Sequence, residues 1–365
     1  MNTGLLTNEQ SSAQIYTEGK YEMVASFGDV AEEYAAIRGS VALFDFSSHG
    51  KFKISGENHL DWISGLVSRN LEFMDSESVI MALCFNEAAE VLGIVSLYKY
   101  DDSVLIETET AERDLLAAWF EQHRTDGVEI NDLSDSSALL GLEGPAAFKV
   151  AQTLLDYEIS SIPFQGFVEV EYQGEPAILA RTGYTGEYGY KILADARIAN
   201  NLWDDFSAQV RELGGRQCGQ EALTTTMLEV RQPIGSLETL DLSAIPAGLG
   251  WMVDFNKADE YIGKDALMEQ CASLLEQRTI GFITDGQASI KIGNKVILDD
   301  QVIGRVIAVC YSPTLQAQLG LALNAEPFTV PDLTWSVQDE QGQSFQARSL
   351  SSPYVMPRSW KVKML

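Results

Sequence analysis

Residues 181–190, RTGYTGEYGY, place three glycines, three tyrosines and one carboxylate, Glu187, in ten positions. An ionised carboxylate accepts two parallel hydrogen bonds, so Glu187 could read the edge of a flat ring that carries adjacent N–H donors. Glycine lets the backbone turn tightly and approach such a ring closely. The competing reading is a hairpin whose glycines serve only the turn. Other groups suited to chemistry are scattered along the chain. His49 in FDFSSHGKF titrates near neutrality in its ordinary state, and Glu107 ends the apolar run SVLIET.

The 365 residues are 45% hydrophobic, enough for a full core and for two or three domains. The formal charge of −28 argues against nucleic acid and anionic membranes as partners, since both are bound through Lys and Arg. The four cysteines lie far apart with no metal-ligand spacing, which suits reduced thiols in a cytosol and predicts no metal site. No basic start followed by an apolar run opens the sequence, and no stretch is apolar enough to span a bilayer. The expectation is a soluble cytoplasmic protein, a monomer or homodimer.

Hydrophobic spacing places the elements that must hold these residues. Helices are expected over 30–38, 57–70, 111–124 and 196–213. In the third, Leu115, Leu116, Trp119 and Phe120 share a face. Strands are expected at 79–86, 91–100 and 103–108, and a hairpin at 167–182 turns on Gln173-Gly174. From residue 277 onward only short alternating strands and turns remain, the pattern of a small all-β barrel. This predicts an α+β region over residues 1–275 of two subdomains, one of them at roughly 47–135, and a barrel over 276–365.

Five segments in order resemble the aminomethyltransferase family, which contains the glycine-cleavage T-protein and its folate-binding relatives. They are FDFSSHGKFKISG, LGLEGPAA, RTGYTGEYGYKI, IPAGLGWMVDFNKA with YIGKDAL, and IGRVIAVCYSPTLQAQLGLALN. The resemblance spans about residues 25–357. It implies a three-domain cloverleaf around a central folate channel and transfer of one-carbon units to tetrahydrofolate. It also implies that Glu187, and Glu107 at a position the family fills with asparagine, hold the pterin, while Tyr184 and Tyr190 line the channel. Arg231, one helical turn beyond Met227, and Arg358 would approach the folate tail. His49 or Tyr98 would assist a leaving group.

Several family positions differ. Gly93 and Ile94 stand where the family's aminomethyltransferases carry aspartate, and Met227 stands at an arginine position. The loss of that carboxylate favours simple methyl transfer from a methylated N, S or O small molecule to tetrahydrofolate. The alternatives are a non-catalytic folate-binding or regulatory protein and a biosynthetic enzyme that uses the same channel for another reaction.

Overall fold

The computed structural model describes residues 2–3, 13–235, 242–285 and 288–364. Two sheets face each other across the future site. The first takes its strands in the order β6-β7-β8-β5-β9: β5 (Gly50–Ser55), β6 (Ser78–Phe85), β7 (Val91–Lys99), β8 (Ser103–Thr108) and β9 (Glu129–Asp132). The second runs β11-β12-β13-β10-β4-β14, from β4 (Ala42–Asp45), β10 (Ser137–Glu143), β11 (Phe167–Tyr172), β12 (Glu175–Ala180), β13 (Gly189–Asp195) and β14 (Arg216–Gln217). A small sheet of β1 (Asn2–Thr3), β2 (Gln14–Glu18) and β3 (Tyr21–Ser26) borders them.

Side-chain alternation explains how one strand serves two layers, because successive residues point to opposite faces. On β7, Val95 and Leu97 pack with Trp62, Leu116 and Phe120 of α2 (His59–Ser64) and α3 (Arg113–Gln122). Tyr98 points the other way and joins Val79, Leu105, Phe167 and Ala180, an apolar seam between the two sheets. The second sheet's far face is covered by α4 (Ala147–Ala151) and α5 (Ala199–Glu212), through Leu202, Phe206 and Val210. Helices α1 (Val30–Gly39) and α6 (Gln220–Val230) pack on its near face around Phe44 and Phe46.

After α7 (Lys264–Ala272), six strands close an antiparallel barrel in the order β15-β18-β17-β16-β19-β20. They are β15 (Gln277–Asp285), β16 (Lys295–Leu298), β17 (Gln301–Ser312), β18 (Ala317–Ala325), β19 (Thr334–Gln338) and β20 (Ser344–Leu350). Closure satisfies both edges of a sheet that has no covering helices of its own. The turn at Gln173-Gly174 forms as expected, with positive φ at both residues.

Two local expectations change. The helix expected over 57–70 is confined to His59–Ser64; Gly65 ends it, its N–H held by the carbonyls of Asp61 and Trp62. In α3 the inward residues are Arg113, Leu116, Trp119 and Phe120, while Leu115 is half-exposed. The stripe spaced 113, 116, 120 is the one that meets β5 and β7, and Leu115 lies beside it. No described helix is long and apolar enough to cross a membrane.

Candidate active site

The two sheets and their loops deliver five ionisable or hydrogen-bonding side chains to one buried point. Glu107 lies next to last on β8, opposite Lys51 of β5 and Ser96 of β7. Its Oε1 accepts from Lys191 Nζ at 2.6 Å and meets His49 Nδ1 at 3.0 Å; its Oε2 accepts from the Tyr98 hydroxyl at 2.5 Å. Tyr184 donates to Oε1 at 3.3 Å and accepts from Lys191 at 2.7 Å. Lys191 comes from β13 in the facing sheet, so this cluster ties the sheets together.

Burial alone would push the Glu107 carboxyl upward. The Lys191 charge and the His49 hydrogen bond outweigh it and hold Glu107 well below the usual carboxylate range. An ionised carboxylate only accepts hydrogen bonds, which assigns the His49 proton to Nδ1 and leaves Nε2 as a lone-pair acceptor. Burial lowers His49 from its ordinary pKa, against the raising influence of Glu107, so the ring is neutral at pH 7. Burial, reinforced by Glu107, keeps the Tyr98 and Tyr184 hydroxyls protonated.

His49 and Tyr184 also border a cavity of about 280 Å³, walled by Phe46, Leu223 and Met227 and bearing two carboxyls, Glu109 and Glu18. Phe46 stacks on His49 at 5.1 Å and meets Tyr184 edge-on at 5.5 Å, which fixes both rings. The volume is at the low end of ligand pockets and suits a small ring system.

The structure therefore brings together His49, Tyr98, Glu107 and Tyr184. It takes the other expected site residues elsewhere. Glu187 receives Arg38 Nη1 at 3.1 Å and the Arg358 N–H at 3.0 Å on one oxygen, and the Ser359 N–H at 2.8 Å and hydroxyl at 2.6 Å on the other. Those four bonds fill the acceptor sites of a carboxylate, so Glu187 holds the C-terminal segment, and it also lines a cleft of about 800 Å³ apart from the His49 cavity. Tyr190 is fully buried on the opposite face of β13, its hydroxyl against Met364 Sδ. Arg231 adopts a left-handed conformation at the end of α6 and donates to the Ala247 carbonyl at 2.9 Å. It borders the same cleft as Glu187, with Arg181, Trp251 and Trp360. The exposed Arg358 side chain lies toward Gly39, away from that cleft's lining.

Sequence reasoning missed Lys191, Arg38 and Glu109. The signal for Lys191 was a single cation in the run GYKILA, where an unpaired charge cannot stay buried. At the divergent positions, a Cβ on Gly93 would lie 2.9 Å from Leu116 Cδ1 and 3.0 Å from Glu112 Cγ, so no larger side chain fits there as packed. Ile94 is buried in a cluster with Leu83, Phe85 and Leu249. Among the described residues no group of His, Cys, Asp and Glu could hold a metal ion.

Two facing sheets and a closing barrel, with a buried polar cluster between the sheets and a ring-sized cavity beside it, form the framework of the site. The chain belongs to the glycine-cleavage T-protein family, the aminomethyltransferases, which are tetrahydrofolate-dependent one-carbon transferases. Residues 6–257 match the GCVT N-terminal domain, and residues 266–355 match the glycine cleavage T-protein C-terminal barrel domain. An aminomethyltransferase of Halalkalibacterium halodurans is 32% identical over 86% of this chain and 87% of its own length. One from Anoxybacillus flavithermus is 30% identical over 92% and 93%. The crystal structure of the glycine cleavage system aminomethyltransferase T from Bartonella henselae superimposes with a TM-score of 0.88 over 98% of both chains at 19% identity, a likeness of fold.

Proposed function

We propose that this protein transfers a methyl group from a methylated N, S or O small molecule to N5 of tetrahydrofolate. The pterin occupies the cavity walled by Phe46, Tyr184, Leu223 and Met227. The observation that carries the reading is His49: a neutral imidazole at the cavity wall, its Nδ1 tied to an ionised Glu107 and its Nε2 left as a base. When N5 attacks the donor carbon its own proton must leave, and Nε2 can take it. Lys191 and Tyr98 keep Glu107 ionised and fixed, and Glu107 in turn fixes the tautomer. The apolar walls exclude water and align the reactants, which is most of what a displacement needs.

Methyl transfer is preferred because β7 offers Gly93 and Ile94 where the resemblance implies a carboxylate for methylene chemistry. The names of the relatives favour a second reading, aminomethyl transfer from a carrier-bound donor. Tetrahydrofolate incubated separately with dimethylglycine, a methyl thioether, a methyl aryl ether and an aminomethyl-lipoyl carrier protein separates the two. The expected product is 5-methyltetrahydrofolate from one of the first three. Methylene-tetrahydrofolate formed from the carrier at about 1–10³ s⁻¹ would install the second reading. Tight folate binding with no product from any donor would favour a binding or regulatory protein.

A further inference from the structure

The cavity holds a second titratable group that the step above does not use. Glu109 follows β8 by one residue and lines the cavity alongside His49, Thr110 and Tyr184. No hydrogen bond to its carboxyl is found among the described residues. Its Oε2 and the Oε1 of Glu112 approach the same point, the place a Cβ would take on Gly235, at 3.5 Å and 2.8 Å. Glu112 is itself buried, and its Oε2 has no partner among the described residues. The room for the Glu112 side chain is the space beside Gly93, where a Cβ would come within 3.0–3.1 Å of Glu112 Cγ and Cβ and press that side chain aside. The glycine on β7 thus admits an acid from the start of α3.

We propose that Glu109, sharing one proton with Glu112, is the acid of this cavity: it touches the bound one-carbon donor and protonates its leaving group. The assignment rests on reading the cavity as the transfer site. An oxygen of each carboxyl lies within 3.5 Å of the one point beside Gly235, and like charges at such spacing in a partly buried wall resist ionising together. Burial, then the charges of Glu112 and Glu18, raise Glu109 well above the ordinary carboxylate range, with Lys191 opposing and Glu107 adding to the rise. Burial, with Glu18 adding, brings Glu112 to about 7. The step balances. The bond between the donor carbon and its heteroatom breaks with the electron pair passing to the heteroatom, which takes the Glu109 proton. The N5 lone pair forms the new carbon bond, and the N5 proton passes to His49 Nε2. Solvent exchange then returns the proton from His49 to the acid pair.

The test is a pH titration of full-length protein carrying ¹³C-labelled glutamate carboxyls, followed by NMR with and without tetrahydrofolate. Calorimetry on the same samples reports whether folate binds. Glu109→Gln and Glu112→Gln assign the signals. The Glu109 carboxyl is expected to titrate well above the ordinary carboxylate value of about 4.3. Glu112→Gln should lower that midpoint by a unit or more, and saturating tetrahydrofolate should shift the Glu109 signal. Glu109→Gln should bind folate within about threefold of wild type and lose about 100-fold or more in transfer rate. A Glu109 midpoint in the ordinary range overturns the proposal. So does a signal unmoved by folate that calorimetry shows to be bound. If calorimetry shows no folate binding, the transfer reading fails, and the titration midpoint alone still decides whether the two acids share a proton.

Discussion

Lys191→Met removes the cation from the central cluster while keeping a side chain of similar length. In the native protein both Lys191 and Glu107 are about 3% exposed and their charged atoms are 2.6 Å apart. The substitution leaves Glu107 buried with only neutral donors, Tyr98, Tyr184 and His49. Breaking a buried pair in this way costs about 3–5 kcal/mol, far above the ~0.2–1 kcal/mol of an exposed pair. Two readouts follow from urea denaturation. At pH 7 the variant should lose that amount of stability. The loss should shrink toward pH 5 because of the variant alone. The native Glu107 is depressed, so its contribution stays full down to the unfolded carboxylate value of about 4.3 and is lost only below it. In the variant Glu107 has lost its cation and burial raises it, so lowering the pH protonates it and relieves the cost. Adding Glu107→Leu should recover much of the loss, since paired removal of buried ions by apolar groups is often neutral. A pH-independent loss below about 1 kcal/mol would refute the account of this pair as the electrostatic centre of the site.

Glu187→Gln should behave as a stability variant more than a binding variant. An amide nitrogen would face N–H donors of the C-terminal segment, so a loss of about 1.5–3 kcal/mol is expected from hydrogen bonds to a charged acceptor. Denaturation beside a folate titration checks this; a large loss of affinity in a protein of unchanged stability would return Glu187 to the ligand. Glu143 accepts from the Tyr184 N–H at 2.8 Å and the Thr185 hydroxyl at 2.7 Å, yet burial raises it to about 7. A raised carboxyl contributes fully below its unfolded value and loses that contribution as pH rises through about 7, up to about 3 kcal/mol in total. Glu143→Gln should therefore be more stable relative to wild type at pH 8 than at pH 5, and equal differences at the two pH values would contradict the burial argument.

The elements were legible because their patterns are local. Unbroken apolar runs joined by a short turn marked the hairpin of Ser78–Phe85 and Val91–Lys99, alternation marked the strands of the barrel, and those strands form. The site was legible only in part. The loop at 181–190 announced a special backbone, but the destination of its carboxylate is decided by residues 358 and 359, about 170 positions away. Likewise, Lys191 and Glu107 lie on strands of different sheets, and no spacing along one segment links them. His49 and Glu107 were each visible as candidates, yet their contact depends on the turn that places Phe46 and His49 ahead of β5. Leu115 was misplaced for a simpler reason: an apolar residue at the edge of a helical stripe can fall on either side of it.

The central claim is that the ring of tetrahydrofolate occupies the cavity beside His49. A crystal structure of the complex with 5-methyltetrahydrofolate tests it most directly. The account predicts the pterin against Phe46 and Tyr184, with N5 within hydrogen-bond or methyl-contact reach of His49 Nε2 and a Glu109 oxygen at the ring or its substituent. A pterin bound instead in the cleft beside Arg231 and Glu187, with the His49 cavity empty, would contradict it.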